Sequence, residues 1–244
     1  MKKILVLLLI VVCFASCKHK VEFKYTYFPD GKMSSYWTEI NGIKQGQLVK
    51  FCENGRIQEV TEFKDGVKDG NHTWWHKNGK IAVMDQYRND LAEGYQFCWD
   101  SNEKQLWKWN FVKGKFDGRC FDWFANGNLQ KISDWDHGKR NGKSYEWYEN
   151  GKYMYSLNFK DDSLVGENKG WYEDGQLEAV MNYNDKGLRH GKSRFYFPDG
   201  KLKAVTYFKN GKHEGESCVY DSITGALKDV RVYKDGAMVS EKKM

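Results

Sequence analysis

Five tryptophans, Trp75, Trp99, Trp123, Trp147 and Trp171, stand 24 residues apart along a chain of 244 residues. Flat rings in an even series can do one of two things. They can stack on sugar rings, or they can bury against a partner and against one another. Other reactive side chains are less organised. His137, His190 and His213 fall among turn residues, and His72 and His76 sit four residues apart on one strand, about 13 Å at 3.3 Å per residue. That is too far for both to hold one ion, so no metal site is assigned. No serine sits in a nucleophile elbow, and no Gly-x-x-x-x-Gly-Lys-Ser/Thr loop occurs. The carboxylates recur as turn residues without a convergent pair. No catalytic residue and no cofactor are assigned, and the chain is read as a non-enzyme.

The elements that would carry the rings follow from internal repetition. A turn signal recurs as Pro29-Asp30-Gly31, Glu53-Asn54-Gly55, Lys77-Asn78-Gly79, Ala125-Asn126-Gly127, Glu149-Asn150-Gly151, Glu173-Asp174-Gly175 and Pro198-Asp199-Gly200. Successive glycines are 24 apart, except for a last step of 25; Ser101-Asn102-Glu103 fills the missing slot, and a ninth, distorted copy ends at Gly225. A second signal, Gly-x-x-x-Gly, interleaves as Gly42/Gly46, Gly66/Gly70, Gly114/Gly118, Gly138/Gly142, Gly187/Gly191 and Gly211/Gly215. Two turns per copy leave two strands of about six to eight residues. The expected fold is all-β: a repeat array of about nine 24-residue β-hairpins forming one long, twisted or coiled antiparallel meander sheet.

Three ladders can be phased on the turn glycine. Rings recur four residues before it (Tyr27, Phe51, the five tryptophans, Tyr196) and eight after it (Phe63, Tyr87, Phe111, Trp135, Phe159, Tyr183, Phe208, Tyr233), with Glu39 the exception. Bulky residues also recur two after it, from Met33 to Leu227. Pro29 and Pro198 suit the first position of a three-residue loop, two right-handed residues and then a left-handed glycine. That loop pairs the residue four before with the one two after. Simple alternation from there puts all three ladders on one aromatic face. It leaves Val60, Met84, Ile132, Val180, Val205 and Val230 on the other, beside Lys32, Arg56, Lys80, Lys152 and Lys201. Cys98 and Cys120 then lie one strand apart, about 9–10 Å, beyond disulfide reach, so Cys52, Cys98, Cys120 and Cys218 are expected as free thiols.

Eighteen strands at about 4.8 Å would span roughly 85 Å, more than open sheets sustain without curling. The sheet is therefore expected to coil on itself or to be covered. Glu39, the insertion at Ser222-Ile223-Thr224 and the charged tail Glu241-Lys242-Lys243 read as end caps.

The first residues form an address. Lys2 and Lys3 precede an apolar run, Ile4 to Val12, too short to span a bilayer, and Phe14-Ala15-Ser16-Cys17 follows. This resembles a bacterial lipoprotein leader, which implies cleavage before Cys17 and a lipid on its sulfur. The expected organisation is 1–16 signal peptide, 17–24 tether, 25–240 repeat domain and 241–244 charged tail. Net charge is +6, with 39 basic and 33 acidic residues, too mild and too evenly mixed for a nucleic-acid partner.

The unit Trp-Tyr-Glu-Asn-Gly-Lys … Phe-Lys-Asp … Gly, as in Trp147 to Gly166, resembles the bacterial MORN-repeat variant over residues 25 to 240. The resemblance implies stacked hairpins in a meandering sheet, and proteins of this kind are often labelled YwqK-type antitoxins. Three functional expectations follow. The first is a cell-envelope lipoprotein, anchored in a membrane through Cys17, whose repeats form a scaffold for an envelope protein partner. The second is a carbohydrate module that holds wall polysaccharide on Trp75, Trp99, Trp123, Trp147 and Trp171. The third is an antitoxin or immunity protein.

Overall fold

A computed structural model describes residues 19–244. The leader and Cys17 lie outside the described residues. Among those described, every element is a strand and every strand pairing is antiparallel. Pairing is sequential from Val21–Tyr27 to Ala237–Lys243. The first strand begins at Val21, inside the span expected as tether, and the last extends through Lys243, inside the expected tail.

The hairpin loops have the expected geometry. In the copy around Gly127, the Gly127 N–H donates to the Phe124 carbonyl at 2.8 Å and the Phe124 N–H to Asn128 at 2.9 Å, leaving Ala125-Asn126-Gly127 as the loop. Gly127 has φ +93°. The preceding Asn or Asp is there for a local reason: its side chain accepts the N–H two residues on, as Asn126 does from Asn128 at 2.8 Å and Asp174 from Gln176 at 2.9 Å. Return turns are two-residue loops with both residues left-handed, such as Asp65-Gly66 (φ +53° and +85°). The 25-residue step is explained at Asp185-Lys186-Gly187. There the return turn is a three-residue loop, with Gly187 N–H on the Asn184 carbonyl at 3.0 Å.

One expectation fails. Trp123 does pair with Leu129, but Asp122 pairs with Lys131, so the second strand carries an extra residue just past the turn. The same shift recurs in the other copies. A one-residue slip moves everything beyond it to the opposite face. The aromatic ladders therefore do not share a face.

The front face carries the tryptophans four before the glycine, with residues such as Phe97, Phe121 and Tyr145 two positions earlier. Ile132 and Val180 are on the front too, opposite Phe121 and Lys169. The valine stripe thus accompanies the tryptophans. The back face carries the ladder eight after the glycine, exemplified by Phe111, Trp135, Phe208 and Tyr233, interleaved with return-strand residues Phe116 and His213.

Among the described residues, all substantial strand contacts are between neighbours in the meander, so the ribbon they form is a single open layer that neither closes nor stacks on itself. Its most enclosed residues are small and mid-strand: Thr61, Cys120, Ser144, Asn168 and Ser193. On the back face the Trp135 indole N–H donates to Ser133 Oγ at 2.8 Å, which holds that ring along its own strand.

Copies are locked together along both edges. The Asn150 amide reaches the Glu173 carbonyl of the next turn at 2.9 Å, and Asn78 that of Ser101 at 2.8 Å. The Tyr148 and Tyr172 hydroxyls donate to the carbonyls of Trp171 and Tyr196, each at 2.8 Å. Within a copy, on the back face, the cation of the first strand sits over the ring of the second: Lys44 on Phe63 at 4.6 Å, Lys68 on Tyr87 at 4.8 Å and Arg140 on Phe159 at 4.1 Å.

Candidate functional site

Trp75, Trp99, Trp123, Trp147 and Trp171 all lie half-buried on the front face. Each is placed by the residue opposite it: Ile81, Gln105, Leu129, Tyr153 and Leu177 respectively. Phe97 stacks on Trp99 (5.6 Å, 14°) and Phe121 on Trp123 (5.8 Å, 17°), so part of each surface is spent on local packing.

Two of the five are brought into one cluster. Tyr153 lies 5.3 Å from Trp147 and 5.6 Å from Trp171, and it remains 48% exposed. Lys152, Tyr153, Trp171 and Asp174 line a shallow cleft of about 370 Å³ beside it. Tyr153 was not among the expected contacts. The signal was in the sequence: this is the one copy with a ring two residues after the turn glycine, where the others carry Met, Ile, Leu or Gln105. Trp75, Trp99 and Trp123 stand at their own turns, with successive tryptophan-bearing strands about 9.6 Å apart.

A second cleft of about 390 Å³ is lined by Asp122, Phe124, Lys131, Glu146, Trp147 and Met154. Burial pushes the Asp122 carboxyl above its ordinary range, against the Trp109 indole N–H that donates to it at 2.9 Å and the nearby Lys131. Lys131 is itself paired with Glu146 at 2.9 Å. Burial also raises the Tyr148 and Tyr172 hydroxyls, consistent with their role as donors between copies.

The histidines are dispersed. His72 hydrogen-bonds Asp85 at 3.0 Å, His76 bonds the Trp99 carbonyl at 2.9 Å, and His213 bonds Thr206 at 3.0 Å. Asp117, Asp136 and His137 bring three ligand atoms within 4.8 Å at an exposed return turn. Their contacts are already mutual: the His137 backbone N–H donates to Asp117 and its ring is bonded to Asp136. Cys52, Cys98, Cys120 and Cys218 are all free, as expected. Burial raises the Cys98 and Cys120 thiols.

Residues 68–89, 140–161, 164–185 and 189–210 each match the MORN repeat variant family. The chain carries MORN repeat variants. The matched segments run from one return strand to the next return turn, and the same hairpin geometry extends to the copies outside them. No curated protein matches the chain at a significant level. Among solved structures, a chain of the TcdB2-TccC3-Cdc42 crystal structure aligns at 10% identity, covering 86% of this chain and 13% of that one, with a TM-score of 0.21. A TcdB2-TccC3 chain aligns at 13% identity over 91% and 14%, with a TM-score of 0.22. A porin-like protein from Bacteroides uniformis aligns at 10% identity over 91% and 93%, with a TM-score of 0.20. This MORN-variant chain thus spans only about a seventh of the first two, and scores this low carry no argument about any of the three.

Proposed function

We propose that the protein is a non-enzymatic scaffold for protein–protein interaction, exported and held at the cell envelope by a lipid on Cys17. The observation that carries the scaffold reading is the single-layer ribbon of MORN-variant copies, stiffened by turn-to-turn hydrogen bonds while both faces stay open to solvent. Such an array offers an extended, rigid docking surface of the kind repeat proteins use. The half-buried front-face rings match the aromatic character of interface cores.

The test is cross-linking in the protein's own membranes, comparing the unsubstituted chain with Trp147→Ser/Tyr153→Ser on the front and with Trp135→Ser on the back. A partner lost with the front-face change and kept with the back-face change supports the reading. A partner kept by both variants, or none captured by any, defeats it. Radiolabelled lipid incorporation that disappears in Cys17→Ser checks the anchor separately.

The Trp147–Tyr153–Trp171 cluster favours a second reading, a wall-polysaccharide platform, because an exposed ring between two others can stack on a sugar. Tryptophan fluorescence that shifts on adding wall polysaccharide, and fails to shift in Tyr153→Ser, would put that reading first.

A further inference from the structure

The two edges of the sheet are not equivalent. At the C-terminal edge, Ala237–Lys243 carries Glu241, Lys242 and Lys243, and Arg231 reaches Glu241 at 2.9 Å. Charges of this kind protect an edge from further pairing. The N-terminal edge, Val21–Tyr27, keeps its two charges, Glu22 and Lys24, on one face, paired with each other at 2.6 Å, and carries an unbroken apolar row on the other. Val21, Phe23, Tyr25 and Tyr27 are 55%, 64%, 48% and 60% exposed, more open than any of the five front-face tryptophans. The expectation that Glu39 caps this end is not met, because the open row lies one strand outside it.

Backbone polarity shows which groups are free. Asn41 N–H donates to the Lys20 carbonyl and Phe28 N–H to the Lys32 carbonyl, so the even-numbered residues turn their backbone groups inward. Val21, Phe23 and Tyr25 turn their N–H and C=O groups outward. Among the described residues, nothing pairs with that side.

We infer that this edge pairs with the same edge of a second copy, antiparallel about a two-fold axis at Phe23. Strand parity favours a self-partner. Of the twenty-three strand segments among the described residues, four are two-residue pieces leading into the next segment, which leaves nineteen strands in strict antiparallel alternation. With an odd number, the first and last strands run the same way. Joining the N-terminal edge of one copy to the C-terminal edge of another, same face up, would be a parallel pairing against a charged strand. A two-fold axis perpendicular to the sheet joins the two N-terminal edges antiparallel and keeps front face with front face.

Side chains select the register. Centring on Lys24 would set two lysines directly opposite, which is unfavourable. Centring on Phe23 sets Glu22 opposite Lys24 of the second copy at both symmetric positions. It also places Phe23 across from Phe23 and Val21 across from Tyr25 in one apolar row, and it closes about six backbone hydrogen bonds.

The experiment uses the full chain in mild detergent. Sedimentation should give a protein mass near twice the 28.7 kDa chain, falling to one chain in Phe23→Lys with an unchanged strand circular-dichroism spectrum. Phe23→Lys leaves the inward hydrogen bonds intact and sets two lysines opposite each other. Under mild oxidation, Phe23→Cys should form a disulfide dimer above the background of the unsubstituted chain, because the paired Cα atoms would lie about 5.5 Å apart. Tyr27→Cys should not, since its symmetry mates would be roughly 26 Å apart. A monomeric unsubstituted chain overturns the inference, as does a dimer that persists in Phe23→Lys. Cross-linking at position 27 in place of 23 overturns it as well.

Discussion

Trp123 and Trp135 stand four residues before and eight residues after the same turn glycine, yet they lie on opposite faces of the sheet. Trp123 stacks with Phe121 on the front, and Trp135 packs 4.9 Å from Phe116 on the back. The extra residue between the Trp123–Leu129 and Asp122–Lys131 pairs separates them. The ribbon is therefore aromatic on both sides, and any partner meets one ladder at a time.

Turn glycines should be costly to replace where the backbone alone decides. An added Cβ at Gly127 meets nothing within 4 Å, but φ is +93°. Gly127→Val is expected to lose about 1–3 kcal/mol through backbone strain. Glu103 holds the equivalent place at φ +69°. Glu103→Gly should therefore stabilise, by up to about 1 kcal/mol, since its exposed contact with Lys80 contributes little. Denaturant titration of both variants checks the opposite signs.

Gly70 should be less tolerant still. It combines φ +117° with the Glu62 side chain directly beneath, Cβ at 2.9 Å, and Glu62 accepts the Asn71 N–H at 2.8 Å. Gly70→Ala must displace that carboxylate as well as strain the backbone, so its loss of stability should exceed that of Gly127→Ala. Thermal melts of the two alanine variants give the comparison.

Arg140 and Phe159 should be energetically coupled. With the guanidinium 4.1 Å above the ring, a double-mutant cycle of Arg140→Ala and Phe159→Leu is expected to return about 0.5–1 kcal/mol. A value near zero would mean that the cation is only covering apolar surface.

Asp122 should make stability fall with rising pH. Burial raises its folded-state pKa above the unfolded value, so between the two the native state holds the proton more tightly. Stability then drops as pH climbs through that interval and stays lower above it. Asp122→Asn keeps an acceptor for Trp109 and should be the more stable form at neutral pH. The advantage should vanish at pH 3 in parallel denaturation curves.

Cys120 should resist modification. It is enclosed at 2% exposure and its thiol is pushed up by burial, whereas Cys52 borders an open cleft. Mass spectrometry after brief iodoacetamide treatment should find Cys52 alkylated well before Cys120.

The primary structure determined the period, the loop types and the meander. Glycine, asparagine and proline act through local φ/ψ preferences that need no distant contact, as at Pro29-Asp30-Gly31 and Asp65-Gly66. It also marked the five tryptophans as one set, which the sheet keeps on one face. Which other rings join them was decided by tertiary structure. An extra residue in a strand leaves no compositional trace, and it arises from how two twisted strands settle against each other. Exposure was decided there too. Val21 to Tyr27 resembles the inner strands in sequence, and it is open because, among the described residues, a strand lies along one of its sides and none along the other.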